Sequence, residues 1–254
     1  MSPTISIAIP TYEMKGSGPR YLSHLLETIR GQKFIDYEVC VSDHSQNDEI
    51  LDLCGEYANY FTVKYFKNEE NRGNCSSNIN SVVEMCEGRI TKLIFMDDMF
   101  IDPWAFTLIN HVYETTYCNW CFNGFAHTSD GVSHERMKVP QWTDMMLEGR
   151  NLLGNPSGVS FLTDKFVGFD EKLNLLLDTD FYHRMRYNHG MPYIIEDILT
   201  SNREHGDRMS SSSINYNARI EHPEGGWLVN KEELDYVSEK NKDTREYPDE
   251  TRSK

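Results

Sequence analysis

Two carboxylates stand side by side, Asp97 and Asp98, directly after the apolar run 93–96 in LIFMDDMF. Adjacent carboxylates repel unless a proton or a cation relieves them, and oxygen donors suit a divalent cation, manganese or magnesium. The formal net charge of −15, from 40 acidic and 25 basic residues, points the same way. An anionic ligand such as a diphosphate would need a cation or oriented N–H groups to offset that field. A second pair, Asp178 and Asp180, lies in LDTDFYHRM. Residues two apart on a helix point about 200° away from each other, so at most one of them faces a given cleft. Asp180 has Arg184 four residues on, placed for an exposed ion pair. Asp178 is followed at that spacing by Phe181 and Tyr182, and its plain alternative is a helix N-cap. Asp43 closes another apolar run and could be either a ligand contact or a helix-entry cap. Arg203, His205 and Arg208 follow in REHGDR, where a loop histidine is as readily a solvated residue as a ligand. Cys118 and Cys121 have redox or half-zinc spacing, but no second such pair follows, and strand thiols are the simpler reading.

The elements that position these groups alternate regularly. An apolar strand from Ile5 to Ile9 is stopped by Pro10, and a helix from about Pro19 carries Leu22, Leu25, Leu26 and Ile29 on one face. A strand at 37–41 leads to a helix capped by Ser45 with Asp48 three residues on. A third strand at 62–66 precedes a helix after Gly73, and a fourth at 92–96 ends in the acidic pair, followed by a helix after Pro103. Repeated βα units predict a parallel sheet covered on both faces, with ligands at the carboxyl ends of the strands. Those ends are Thr11–Glu13, Asp43–Ser45, Asn68–Gly73 and Asp97–Asp98. Any one polar strand end is unremarkable in a loop, but four converging on one rim predict a site. Beyond residue 118 the pattern becomes mixed: a strand in NWCFNGF, a turn at Asp130–Gly131, a hairpin or flap to Val139, a short strand in GNPSGVSFL, a helix at 181–188 and a last strand at 192–200. From 231 to 254 more than half the residues are charged, which predicts a disordered tail or a solvated helix.

Composition excludes several classes. The acidic balance disfavours nucleic acid and anionic membranes. No apolar run reaches the roughly 20 residues that cross a bilayer, and the start lacks a basic signal segment, so a cytoplasmic location is expected. Six cysteines within apolar patterns fit reduced, buried thiols. A dinucleotide-dependent oxidoreductase would need G-x-G-x-x-G after the first strand, and PTYEMKGSG lacks it.

In order and spacing, ISIAIPTYE, VSDHSQND, NRGNCSSNIN, LIFMDDMF, GFDEKL and LDTDFYHRM resemble glycosyltransferase family 2, inverting enzymes of the GT-A fold, across roughly residues 4–213. The resemblance implies a glycosyltransferase domain over 1–230, with a nucleotide-binding half at 1–117 and an acceptor-binding half at 118–230, followed by the charged tail. It implies a donor pocket from Pro10, Thr11, Tyr12, Glu13, Asp43, Asn71, Gly73, Asn78, Asp97 and Arg208, with Asp43 on the base and Asp97 on the ribose side. It implies a divalent cation, manganese before magnesium, held by Asp98 and His205, and Asp178 as the general base. The acidic motif departs from the Asp-x-Asp triplet of many members, with Met96 before the pair, and Leu177 replaces the usual Glu before Asp178. The expected reaction is transfer of one sugar from a UDP-, GDP- or dTDP-sugar to a glycan, lipid-linked or small-molecule hydroxyl, since the processive synthases' Gln-x-x-Arg-Trp motif is not seen. A homodimer is compatible with this reading. The rival is a binding protein of the same fold that holds a sugar nucleotide without turning it over.

Overall fold

The computed structural model describes residues 2–206, 219–221, 228–244 and 247. A nine-stranded sheet runs in the order β3-β2-β1-β4-β8-β6-β9-β5, with β7 paired to β6. Its first half is β1 (Ile5–Thr11), β2 (Tyr37–Asp43), β3 (Thr62–Lys67) and β4 (Ile90–Leu93), all parallel. The change to mixed pairing comes where sequence patterning places it: β8 (Val159–Leu162) runs antiparallel between β4 and β6 (Trp120–Thr128). β9 (Tyr193–Arg203) is parallel to β6 and also pairs β5 (Met99–Phe100), while β7 (Glu135–Lys138) completes the expected hairpin. This is the α/β architecture that the βα repeat predicts.

Side chains alternate across β1, so Ile5, Ile7 and Ile9 enter one core and Ala8 the other. The first core is closed by α1 (Gly18–Arg30), α2 (Glu49–Tyr57) and α4 (Ala105–Thr116), with Leu22, Leu25, Leu26 and Ile29 fully buried. The second is closed by α3 (Cys75–Glu84) and α5 (Leu177–His189), with Ile79, Val82, Phe181, Tyr182 and Met185 packed on Trp120 and Phe122. All six cysteines are free thiols.

Three local expectations change. β1 continues through Pro10 instead of stopping there, because its pairing with β4 ends at Ala8–Leu93 and the missing N–H breaks no bond on that side. The Ser45/Asp48 capping box does not form: α2 starts at Glu49, and the Ser45 N–H is taken by Asp43 Oδ1 at 2.8 Å. α5 begins four residues earlier than its apolar pattern indicates, so it includes both Asp178 and Asp180.

The charged tail is not solvated throughout. α6 (Lys231–Lys240) docks on the second core through fully buried Val237, with Leu234 and Tyr236 against the same cluster. Lys240 reaches Asp170 at 2.6 Å and Asp180 at 3.0 Å, and Tyr236 Oη donates to Asp170 at 2.9 Å. Amphipathic pattern in a charged segment is easily masked, since few apolar side chains suffice to anchor a short helix against an existing core.

Candidate active site

The parallel half of the sheet brings its carboxyl ends together. Thr11, at the end of β1, is fully buried; its hydroxyl donates to Ser42 O at 3.2 Å, and its carbonyl accepts from His44 N at 2.9 Å and Asn78 Nδ2 at 3.0 Å. Asn78 Oδ1 is left buried without a partner, aimed from α3 at the same strand end. Tyr12 N meets Met96 Sδ at 3.4 Å, which fixes the β1 end beside the acidic pair. The chain then turns so tightly that a Cβ on Gly18 would stand 2.3 Å from Tyr12 O, so glycine is required there. Gly73, at φ +87°, closes the turn from Asn71 that precedes α3, and Asn74 caps that helix by accepting from Ser77 N at 2.9 Å.

Asp43 is fully buried and heavily engaged. Its Oδ1 accepts from Ser45 N, and its Oδ2 from Tyr65 Oη at 2.7 Å and Lys67 Nζ at 3.4 Å. The proximity of this carboxylate and burial together push the Tyr65 phenol well up, burial being the larger cause. Tyr65 and Lys67 were not legible as site residues, because their contacts cross from β3 to β2 and depend on sheet register.

The acidic pair separates into two environments. Asp98 is 3% exposed and both oxygens are used: Oδ1 accepts from Arg203 N at 2.9 Å, and Oδ2 from Asn155 Nδ2 at 2.8 Å and Ser157 Oγ at 2.5 Å. Burial first, and Asp97 second, push its carboxyl up. Asp97 is more open, and its Oδ2 meets His205 Nε2 at 2.8 Å. His205 also packs against Tyr21, with ring centroids 4.8 Å apart and the planes tilted by 32°, and its Nδ1 is buried without a partner. Arg203 spans this corner, its Nε donating to Asp97 O at 3.1 Å and its guanidinium lying 5.1 Å over Tyr21.

The donor types at this corner fit a hard divalent cation: a carboxylate oxygen and an imidazole nitrogen already meet, and an orphaned imidazole nitrogen lies beside them. Among the described residues no cluster of three or more His, Cys, Asp or Glu side chains forms, so such a cation would take further ligands from its substrate. His205 faces Asp97 and not Asp98, which differs from the pairing expected from the sequence. Asp98 could join such a cation only by exchanging its bond from Asn155 or Ser157.

Asp178 is the second residue of α5, not its cap; the N-cap is Leu176, which has no side-chain cap. Its Oδ1 accepts from Thr179 N at 2.7 Å and its Oδ2 from Asn151 Nδ2 at 2.7 Å. Burial pushes its carboxyl up to about 6. Asn151 is locked by its own loop, its Oδ1 accepting from Leu153 N and Gly154 N. The loop 151–157 therefore binds both acids, Asp178 through Asn151 and Asp98 through Asn155 and Ser157. Asp180 turns away, as helix geometry requires, but its ion pair is not exposed. It is fully buried, with Arg184 at 2.8 Å, Lys240 at 3.0 Å and Asn241 Nδ2 at 3.1 Å. Arg208 lies outside the described residues.

Lys92 was also missed. It is fully buried under the site, its ammonium donating to Asn123 Oδ1 at 2.8 Å and Ser157 O at 2.6 Å, and burial pulls its pKa down to about 7. A lysine inside an apolar strand pattern is the one signal that marked it.

The model of glycosyl transferase family 2 matches residues 6–174. A chondroitin synthase of Escherichia coli is 32% identical over 107 residues, which cover 42% of this chain and 15% of that protein. An uncharacterized protein, y4gI, of Sinorhizobium fredii is 28% identical over 113 residues, 44% of this chain and 12% of the relative. The chain thus spans a small fraction of the curated relatives that it matches. Among solved structures, residues 1–349 of S. aureus TarS in complex with UDP-GlcNAc superpose with a TM-score of 0.66 at 18% identity, covering 85% of this chain and 64% of that one. A mannosyltransferase from Pyrobaculum calidifontis in complex with GDP-Man and Mn2+ gives 0.57 at 13% identity, covering 80% and 57%. At these identities the structures show a shared fold, the GT-A fold. The acidic pair lies four residues beyond the end of β4, not directly after it. With the family model spanning most of the sheet, the chain belongs to glycosyl transferase family 2.

Proposed function

We propose that the protein transfers a single sugar, with inversion, from a nucleoside diphosphate sugar to an acceptor hydroxyl, using a divalent cation and Asp178 as general base. The observation that supports this reading is the loop 151–157, which hydrogen-bonds Asp98 at one end and Asp178 at the other and so links the acidic pair to a base candidate. Transfer requires stabilisation of the diphosphate leaving group and removal of the acceptor proton on the opposite face of the sugar. Manganese, or magnesium, would be held by Asp97 and His205 with Asp98 behind them, and would supply charge stabilisation of the leaving diphosphate.

The protein's own groups perform the rest. Thr11 to Glu13, Asp43 and Asn78 line the strand ends where a nucleoside binds, with the Asn78 carboxamide oxygen free to accept from it. Asp178, raised to about 6 by burial, is ionised at neutral pH yet more basic than an ordinary carboxylate, which suits proton abstraction. Its partner Asn151 is fixed by its own loop, Nδ2 donating also to Gly154 O at 2.8 Å and Oδ1 accepting from Leu153 N and Gly154 N, so the carboxylate is held in one orientation. UDP-N-acetylglucosamine and GDP-mannose, the donors bound by two structural neighbours, are the first to test. Among the described residues no helix is long and apolar enough to cross a membrane. Incubation with each donor and manganese should release free nucleoside diphosphate, and EDTA should stop it. Tight donor binding with no release from either donor, with or without a panel of sugar acceptors, would favour a binding protein instead.

A further inference from the structure

The entry to α5 is anchored from a distant part of the chain. Leu176 at the N-cap position offers no side-chain acceptor, yet the first backbone N–H groups of a helix need one. Glu233, from α6 and distant in sequence, binds the segment that enters the helix: Oε1 accepts from Asn174 N at 3.0 Å, and Oε2 from Leu175 N at 2.9 Å and from the N-cap N–H of Leu176 at 2.8 Å. Glu233 is itself held in place, since its own N–H is accepted by the Asn230 side chain at 3.0 Å. The segment it fixes leads directly into the turn that carries Asp178.

We infer that Glu233 is a positioning residue for Asp178, fixing the helix turn that presents this carboxylate and placing a second negative charge at the same helix N-terminus. The inference rests on Asp178 being the base. The backbone N–H groups of Thr179 and Asp178 in that turn favour the ionised form of Asp178. Burial raises the Asp178 carboxyl most, and the charge of Glu233 acts in the same direction, against those N–H groups, and so helps to keep it basic. Other charged or titratable groups on the elements around α5 are Asp180, Tyr182, His183, Arg184, Arg186, Tyr187 and His189 on the helix itself, Asp170, Tyr236 and Lys240 at the α6 contact, and Glu148 on the segment 146–148. Of these, Asp180, Arg184, Asp170 and Lys240 are bound to one another on the far side of the helix. Tyr182 Oη donates to Gly154 O at 3.1 Å.

A titration of the full chain labelled with ¹³C at the aspartate carboxyl carbon tests this, with Asp178→Asn assigning the resonance. Glu233→Gln should lower the pH at which Asp178 titrates and reduce turnover of whichever of UDP-N-acetylglucosamine and GDP-mannose is used, by roughly ten- to a hundredfold. Lys240→Met removes another tether of the same helix, and it should lower the melting temperature without lowering that titration. An Asp178 midpoint unchanged in Glu233→Gln, or lowered equally in both variants, overturns the inference by reducing Glu233 to a structural anchor. An active Asp178→Asn protein would instead overturn the assignment of the base, while the titration would still report the effect of Glu233.

Discussion

Replacing Asp178 by Asn separates its chemical role from its structural one, because the two respond differently to pH. In the folded protein the carboxyl titrates at about 6, against an ordinary 3.8. Between those values the native state holds a proton that the unfolded chain has released, so this group makes stability fall as pH rises through the window. A difference of about 2 pH units corresponds to roughly 3 kcal/mol, most of it expressed between pH 4 and pH 8. The Asn variant lacks that loss. It has its own cost, since the new amide faces the Asn151 amide and Asn151 cannot flip without surrendering Leu153 N and Gly154 N, about 1–3 kcal/mol for the unmatched donor. The two effects roughly cancel at pH 8, so parent and variant should melt within a few degrees of each other there, whereas at pH 4 the variant should be the less stable by about 2 kcal/mol. Urea unfolding at both pH values measures this. Release of nucleoside diphosphate at pH 8 should meanwhile fall by about 10²- to 10⁴-fold, the usual worth of a general base. A stability difference independent of pH would refute the raised carboxyl, and near-parental turnover in a folded variant would refute the base.

Asp180→Ala leaves Lys240 and Arg184 without their buried counter-charge and should cost about 3–5 kcal/mol by urea unfolding, where an exposed pair would cost only a few tenths. Asp180→Asn, if folded, should keep substantial turnover, and an inactive but folded variant would transfer the base role to Asp180. Asp97→Ala should abolish manganese-dependent binding of UDP or GDP in calorimetric titrations; retention there with loss in Asp98→Ala would make Asp98 the direct ligand and Asp97 the ribose contact. Asp43→Ala should weaken the preferred nucleotide by about 1–3 kcal/mol and alter the ranking of UDP, GDP and dTDP. An unchanged ranking would leave Asp43 as a clasp for Tyr65 and Lys67. Above pH 7, the buried Lys92 is neutral in the folded state while the unfolded chain still binds its proton, so parental stability gains a rising contribution toward pH 10 that Lys92→Met should lack in paired melts.

Much of this was written locally. The alternation of apolar runs with helical faces is a short-range property, so β1 to β4, their helices and the polar residues at their ends are legible from the chain alone, as is the change to mixed pairing after residue 118. The divergence of Asp178 and Asp180 follows from helical periodicity once both lie in α5. Which partners saturate a buried carboxylate depends instead on contacts between residues far apart in sequence. Arg203 N reaches Asp98 across 105 positions, Asn155 and Ser157 reach it from an irregular loop, and Glu233 anchors the entry to α5 from a helix that composition alone reads as solvated. Those contacts set desolvation, which, with the neighbouring charge, pushes the carboxyl of Asp98 up and makes Asp178 a stronger base than its residue type implies. Residue order supplied the carboxylates; only the packing of the sheet, the loop 151–157 and α6 around them decided their protonation and their orientation.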